Sequence, residues 1–216
     1  MSGCGQTTVS YDNPYDVYAT TADLGLSGAG ECVEQTYFSD NLCVIDDTNI
    51  GTDGTHSNVA EGAGVFNLAT GTVNYAQNIY EKLYPASTTK ILTAYLALKY
   101  GNLDDLVTVS EYAAKQASDS SVCGLKAGDV VSLHDLLYGM MLKSGNDAAI
   151  AIAEHLSGSV DAFADLMNQE ANAMGATRSH FVNPNGLPDE DHYTSVYDLY
   201  LIFQNAVKDD RFVDII

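Results

Sequence analysis

Hydrophobic residues along the chain change from short β-prone runs to helical spacing shortly before residue 90. Residues 63–68 and 73–76 are two such runs, and the segment 69–72 between them has the composition of a turn, which predicts a β-hairpin. From residue 87 to residue 100 the apolar positions form a helical stripe, and Gly101 provides a stop. The stripe consists of Ile91, Leu92, Tyr95, Leu96 and Leu98. Its apolar content indicates a buried central helix.

Four further helices are predicted downstream from apolar spacing and start or stop signals. The first follows the capping residue Ser132 and runs to about Leu142, the second spans 147–156, the third lies between Ser159 and Gly175, and the last follows Thr194 or Ser195 and runs to about Val207. Two strands followed by helices predict an α+β protein. Because two strands alone make a poor sheet, we expect further strands.

The composition supports one sizeable domain with an acidic lead-in. The chain has 216 residues, of which 46% are hydrophobic, and 29 Asp and Glu against nine Lys and Arg give a net charge of -20. Such a charge disfavours binding to nucleic acid phosphates. Residues 1–42 are rich in Thr, Ser, Gly, Asp and Tyr, and they predict a flexible N-terminal tether, with the folded domain at 43–216. No apolar run has the length of a transmembrane helix, and no complete signal peptide is present.

The four cysteines bear on location and cross-linking. Ser2-Gly3-Cys4 resembles the end of a bacterial lipoprotein signal, which would make Cys4 a lipidated membrane tether; a chance cysteine in a tail is the equal alternative. Cys32 and Cys43 would pair in an oxidising compartment and leave Cys123 free. No C-x-x-C or H-x-x-x-H spacing occurs, so we expect no metal site.

Ser87 and Lys90 stand three residues apart where the central helix is predicted to begin. Residues at this spacing share a helix face, so the lysine amine would lie beside the serine hydroxyl. A serine needs a neighbouring base to act as a nucleophile at neutral pH, and a buried lysine with a lowered pKa can be that base. The helix N-terminus would favour a developing oxyanion. The alternative is that Ser87 only caps the helix.

Ser144-Gly145-Asn146 lies on a tight loop between two predicted helices. Its hydroxyl and amide, two residues apart, can point into one cleft, where the hydroxyl can relay a proton and the amide can hold a substrate amide. Two other polar residues have simpler interpretations. His192 is predicted to be a loop histidine that helps to place residues 183–188, and Asp147 to be a helix N-terminal charge rather than an acid catalyst.

The two motifs together resemble the serine D-Ala-D-Ala carboxypeptidases, the low-molecular-weight penicillin-binding proteins. The resemblance rests on residues 84–90, which read Tyr-Pro-Ala-Ser-Thr-Thr-Lys, and 144–149, which read Ser-Gly-Asn-Asp-Ala-Ala. Supporting segments are 124–129, 136–139, 183–187 and 192–195. The resemblance covers roughly residues 60 to 213. It implies that residues 43–216 form part of a catalytic domain in which a helical cluster packs against one face of an antiparallel sheet.

The same resemblance implies roles for individual residues. Ser87 would be the acyl-forming nucleophile, with its backbone N–H as one oxyanion donor, and Lys90 its general base. Ser144 would relay a proton from Lys90 to the leaving amine, and Asn146 would bind the substrate peptide amide. The implied substrate is a peptidoglycan stem peptide ending in D-Ala-D-Ala, with β-lactams as acylating inhibitors, no cofactor, and a location in the bacterial cell envelope outside the cytoplasm.

One family element is not found. The sequence contains no Lys-Thr-Gly, which in the family lies on a sheet strand far enough after Ser144 to fall past Ile216. That element would supply a cation for the substrate carboxylate, a second oxyanion donor and part of the sheet. Loss of one oxyanion donor typically costs about 10²–10³ in rate. We therefore expect an incomplete sheet and a polypeptide that is weakly active or inactive alone.

Three other interpretations stay open at this point. A class A-like β-lactamase shares S-x-x-K but uses S-D-N and a water-activating Glu, whereas the middle residue here is Gly145 and no convincing match to that Glu loop is present. The chain would otherwise be a non-catalytic module that binds peptidoglycan or senses β-lactams. The last alternative is a fragment without independent function.

Overall fold

The computed structural model describes residue 39, residues 41–51 and residues 59–216. Most of the predicted tether lies outside these residues, as do Cys4 and Cys32, so the tether and the lipid anchor stay predictions. Cys43 is a buried free thiol, which does not support its predicted pairing with Cys32, and Cys123 is free as well.

All of the predicted strands and helices are present, and four short elements that were not predicted lie between or after them. The strands are β1 (Ala63–Asn67), β2 (Thr72–Gln77), β3 (Leu106–Thr108) and β4 (Val130–Ser132). The helices are α1 (Thr89–Tyr100), α2 (Glu111–Ala114), α3 (Leu133–Lys143), α4 (Asn146–Ser157), α5 (Val160–Ala173), α6 (Val196–Ala206) and α7 (Asp210–Ile215), and a 3-10 turn at Ala86–Thr88 precedes α1. The α+β prediction is confirmed.

The predicted hairpin is present as the antiparallel pair β1–β2. Ala63 pairs with Gln77 and Asn67 with Thr72, with a bulge at Val65/Phe66. The hairpin packs against α6, where the Phe66 and Tyr200 rings stack at a centroid distance of 4.1 Å. Burying the apolar side of the hairpin under a helix supplies the stability that two strands alone lack.

The helix predicted to be central, α1, has core on both of its sides. One core cluster joins it to α3 and α4 and contains Ala94, Ala97, Leu133, Leu137, Met140 and Ile152. The second joins it to α5 and α6 and contains Leu92, Leu96, Phe163, Met167, Leu201 and Ile202. A helix that is apolar nearly all round must be enclosed in this way. Its first turn is therefore rigidly placed.

Local capping signals located most helix ends correctly. The hydroxyls of Ser132, Ser159 and Ser195 accept hydrogen bonds from backbone N–H groups in the first turns of α3, α5 and α6.

The prediction that the helix after Ser195 is the last one is wrong, because α7 follows it. The short antiparallel pair β3–β4 was not located either, since three-residue strands show too little alternation to be recognised.

The segment before the hairpin is attached to α6 through its backbone. Cys43 N–H donates to the Tyr200 hydroxyl at 2.8 Å, and the Tyr197 hydroxyl donates to the Cys43 carbonyl at 3.0 Å.

Within residues 41–51 and 59–216, no helix combines the length and apolar character needed to cross a membrane.

Candidate active site

The start of α1 brings Ser87 and Lys90 together. Ser87 lies in the 3-10 turn Ala86–Thr88 and is exposed, and Lys90 Nζ donates to Ser87 Oγ at 3.2 Å. Thr88, not Ser87, occupies the cap position of α1. The structure therefore does not support the alternative in which Ser87 is only a cap.

The Lys90 amine has three hydrogen-bond partners, and their chemistry fixes its orientation. Besides Ser87 Oγ, Nζ contacts Asn146 Oδ1 at 2.9 Å and the Asn185 backbone carbonyl at 2.7 Å. The last two are oxygens that can only accept. The protonated amine donates to all three partners. The neutral amine has two N–H groups and one lone pair, so in that form the two carbonyl oxygens take both N–H groups. The lone pair then points at the Ser87 hydroxyl, which can donate.

Burial sets the proton affinity of Lys90. Its residue is only 3% exposed, and removal from water lowers the pKa of its amine from the ordinary 10.5 to about 8. No carboxylate is among its hydrogen-bond partners, which are a hydroxyl, an amide and a backbone carbonyl. A lysine with such a pKa can accept a proton near neutral pH.

The junction of α3 and α4 places Ser144 on the other side of Ser87. Ser144 ends α3 in the left-handed conformation, with φ 55° and ψ 35°, and its N–H bonds the Gly139 carbonyl. With this backbone its hydroxyl faces Ser87, and Ser144 Oγ lies 2.8 Å from Ser87 Oγ. The predicted relay from Lys90 through Ser144 would need a hydrogen bond between these two side chains, and the structure shows none. Lys90 bonds Ser87, Asn146 and Asn185, and Ser144 bonds Ser87.

Asn146 begins α4 and bonds the Lys90 amine rather than standing free in the cleft. Its residue is buried, its Oδ1 accepts from Lys90, and its Nδ2 contacts Ser120 Oγ at 3.4 Å. Its backbone N–H bonds the Ser121 carbonyl at 2.8 Å. The predicted contact of Asn146 with a substrate amide stays a prediction.

The loop 182–188 supplies the acceptor that the sequence did not identify. The Asn185 carbonyl receives Lys90 Nζ, and the neighbouring Pro184 carbonyl accepts from Thr93 Oγ1 at 2.7 Å. The Asn-Pro-Asn-Gly turn is visible in the sequence, but nothing in it indicates that a backbone carbonyl faces the base.

Gly186 permits the close approach of this loop to the 3-10 turn Ala86–Thr88. Its φ is +83°, and a Cβ at this position would lie 1.8 Å from the Ala86 carbonyl oxygen. Only glycine fits, because any side chain would collide with backbone. Ala86 itself has φ 48°, so both sides of the contact have unusual backbone conformations.

His192 fixes the loop to the first turn of α1. Its Nε2 lies 2.9 Å from Thr89 Oγ1, and its Nδ1 accepts from the Val182 N–H at 3.1 Å. It is 1% exposed, and burial lowers the pKa of its imidazole from the ordinary 6.5 to about 4. These contacts agree with the prediction that His192 helps to place this loop.

Asp147 anchors a neighbouring backbone segment. It is buried, and its carboxylate accepts from the backbone N–H groups of Cys123, Gly124 and Leu125 at 2.9–3.0 Å. It thereby attaches the segment before β4 to the start of α4. The prediction of a helix N-terminal charge is in keeping with this place, but the anchoring contacts were not foreseen.

Ser87 borders a cleft of about 350 Å³. Its lining combines four polar residues with three apolar ones: Ser87, Thr88, Lys90, Ser144, Ile91, Met140 and Met141. The fold and this cleft define a class of protein in which a serine at a helix start lies beside a buried lysine and a second serine.

Comparison with known proteins identifies the family. The family model described as D-alanyl-D-alanine carboxypeptidase matches residues 52–214. The chain is 38% identical over 154 residues to the D-alanyl-D-alanine carboxypeptidase DacF of Bacillus subtilis (strain 168), covering 69% of this chain and 39% of the relative. It is 37% identical over 175 residues to DacA of Escherichia coli (strain K12), covering 76% and 43%.

Solved structures agree with this assignment. The D-alanyl-D-alanine carboxypeptidase DacD of Francisella tularensis matches with a TM-score of 0.66 and 35% identity, covering 85% of this chain and 42% of that one. A mutant of the Streptomyces K15 DD-transpeptidase matches with a TM-score of 0.71 and 31% identity, covering 75% and 66%. The chain belongs to the D-alanyl-D-alanine carboxypeptidase family. It spans about two fifths of the length of the curated relatives it matches.

Proposed function

We propose that the chain carries the acyl-transfer site of a serine D-Ala-D-Ala carboxypeptidase of the bacterial cell envelope. The substrate would be a peptidoglycan stem peptide that ends in D-Ala-D-Ala, and β-lactams would acylate the same serine. The observation that carries this proposal is the contact set of Lys90. Two acceptors occupy its N–H groups, so the lone pair of the neutral amine faces Ser87 Oγ.

The first half of the reaction forms an ester. The Lys90 amine takes the proton of the Ser87 hydroxyl, and Ser87 Oγ bonds to the carbonyl carbon of the penultimate D-Ala. The carbonyl electrons move to the oxygen, which the Ser87 N–H at the helix start stabilises. When the oxyanion collapses, the C–N bond breaks and the terminal D-Ala leaves once its nitrogen has gained a proton.

Ser144 would deliver that proton. Its hydroxyl lies 2.8 Å from Ser87 Oγ, on the edge of the cleft that a leaving amine would occupy. For a relay, the protonated Lys90 exchanges its bond to Ser87 for one to Ser144 in the tetrahedral intermediate, and Ser144 passes the proton to the nitrogen before the C–N bond breaks. Water then attacks the ester carbonyl and gives a proton to Lys90. The bond between the acyl carbon and Ser87 Oγ breaks, Ser87 Oγ takes the proton back from Lys90, and the shortened peptide leaves with a new carboxylate.

We infer that this polypeptide turns over slowly by itself. Its 216 residues contain no Lys-Thr-Gly, the element to which the family resemblance assigns a substrate cation and a second oxyanion donor. One donor is typically worth about 10²–10³ in rate. Acylation by a strained β-lactam is the less demanding step and the better test of the site.

Intact-protein mass spectrometry after incubation with benzylpenicillin tests the proposal. We expect one adduct on the wild type and none on Ser87→Ala, while Ser157→Ala, which removes a hydroxyl outside the cleft, keeps the adduct. No adduct on the folded wild type would contradict an assembled acylation site. Rapid penicillin hydrolysis without a lasting adduct would favour the β-lactamase alternative. Saturable peptide binding that survives Ser87→Ala, with no product, would favour a binding module.

A further inference from the structure

We propose that His192 is a positioning residue for the base: it ties loop 182–188 to the first turn of α1 and so holds the Asn185 carbonyl against Lys90. This inference rests on the proposed function, since it concerns how the same base is oriented. His192 does not contact the reacting atoms. Its effect on Ser87 passes through the loop and Lys90.

The hydrogen bonds of the imidazole define its protonation state. Because Nδ1 accepts the Val182 N–H at 3.1 Å, the ring proton is on Nε2, which donates to Thr89 Oγ1 at 2.9 Å. A neutral ring satisfies both partners, and a protonated ring would turn an N–H toward the Val182 N–H. The tie therefore requires neutral histidine.

The two ends of the tie lie next to the base and its acceptor. Thr89 directly precedes Lys90, and Val182 lies three residues before Asn185 in the loop. The bond from Thr93 to the Pro184 carbonyl fixes the middle of the same segment. The imidazole and the Thr93–Pro184 bond therefore hold loop 182–188 to α1 on either side of the Lys90–Asn185 contact.

Loss of the tie would free the Asn185 carbonyl. A neutral Lys90 would then lack one of the two acceptors that direct its N–H groups, and its lone pair would no longer be fixed toward Ser87. Movement of the loop would also admit water to an amine that is 3% exposed. Partial rehydration favours the charged form, so the amine would bind its proton more tightly.

The charged groups around His192 oppose one another and leave burial dominant. Asp189 favours the charged ring and His180 disfavours it, but both effects are smaller than that of burial. The Phe181 ring meets the imidazole edge-on at a centroid distance of 5.6 Å, which adds an apolar neighbour. The ring is therefore kept neutral at physiological pH.

The test measures the titration midpoint of Lys90 by ¹³C NMR of the lysine Cε, in the full chain with and without His192→Ala. We expect the variant to raise the midpoint by about one pH unit, which leaves about tenfold less neutral amine at pH 7. His192→Asn, whose amide oxygen can still accept the Val182 N–H, should fall between the two. His180→Ala is the matched control, because His180 bonds the Asp191 carbonyl outside the loop.

A purely structural role would lower stability without moving the Lys90 midpoint, and that result in folded His192→Ala would overturn the proposal. If His192→Ala does not fold, Thr89→Val carries the test, because it removes only the acceptor of the Nε2 proton and keeps the side-chain shape. An unchanged midpoint in folded Thr89→Val would overturn the proposal as well. Failure of the proposed function is seen separately. In that case the wild type forms no penicillin adduct, while His192→Ala still raises the Lys90 midpoint.

Discussion

The depressed proton affinity of Lys90 leads to a quantitative prediction. Burial lowers the pKa of its amine from 10.5 to about 8. At pH 7 an ordinary lysine is neutral in about 3 molecules of 10,000, whereas an amine with a pKa of about 8 is neutral in about one of ten. The fold thus provides about 300 times more free base at neutral pH without any neighbouring cation among its hydrogen-bond partners.

The assay follows the ¹³C signals of the lysine Cε atoms between pH 6 and pH 11. Lys90→Met identifies the signal, and the same chain unfolded in urea supplies the reference, where the Lys90 midpoint should return to about 10.5. A native midpoint that coincides with that of the unfolded chain would refute the argument that burial activates the base.

The same titration should appear in the chemistry. The rate of penicillin adduct formation on Ser87 should rise about tenfold per pH unit below pH 8 and level off above it, because the neutral fraction of Lys90 sets the rate. A rate that does not change between pH 6 and pH 9 would show that Lys90 is not the base in the limiting step.

Three substitutions and one control, Gly128→Ala, test the supporting structure by urea unfolding. Gly186→Ala should lose at least about 3 kcal/mol, because its Cβ would lie 1.8 Å from the Ala86 carbonyl; Gly128→Ala, with φ +87° and open space around it, should lose only about 1 kcal/mol. Asp147→Asn should lose about 2 kcal/mol or more, because an NH₂ group would face backbone donors, and a loss under about 0.5 kcal/mol would contradict the anchoring role. In Glu170, burial raises the pKa of the carboxyl, but hydrogen bonds from two neighbours lower it overall. Its stabilisation is therefore fully present above pH 4.5 and is lost as the pH falls through the lowered pKa, so Glu170→Gln should cost about 1 kcal/mol at pH 7 and progressively less as the pH falls below 4.5.

Elements with strong local signals were predicted well. Helix starts at Ser132, Ser159 and Ser195 follow from hydroxyls that cap neighbouring backbone groups, an interaction within three residues. The hairpin follows from two β-prone runs around a turn. The weak elements, β3, β4 and α7, are three to six residues long and owe their existence to packing, so their local pattern is not distinctive.

Part of the candidate site could also be predicted from the sequence alone. The three-residue spacing of Ser87 and Lys90 at a helix start determines that the amine and hydroxyl are neighbours, because one helical turn fixes their separation. The Ser144-Gly145-Asn146 loop between two helices, taken with the family resemblance, indicated the second serine and the amide, and the structure places both beside Ser87 and Lys90.

The tertiary structure decided how reactive those residues are. The pKa of Lys90 depends on burial by several elements, and its orientation depends on a carbonyl 95 residues away in Asn185. Every residue has a backbone carbonyl, so no residue type marks the one that faces the base. The tie from His192 to Thr89 spans 103 residues and likewise exists only after folding. Covalent neighbours and helical periodicity are recorded in the sequence, whereas desolvation and long-range hydrogen bonds arise only when the chain is packed.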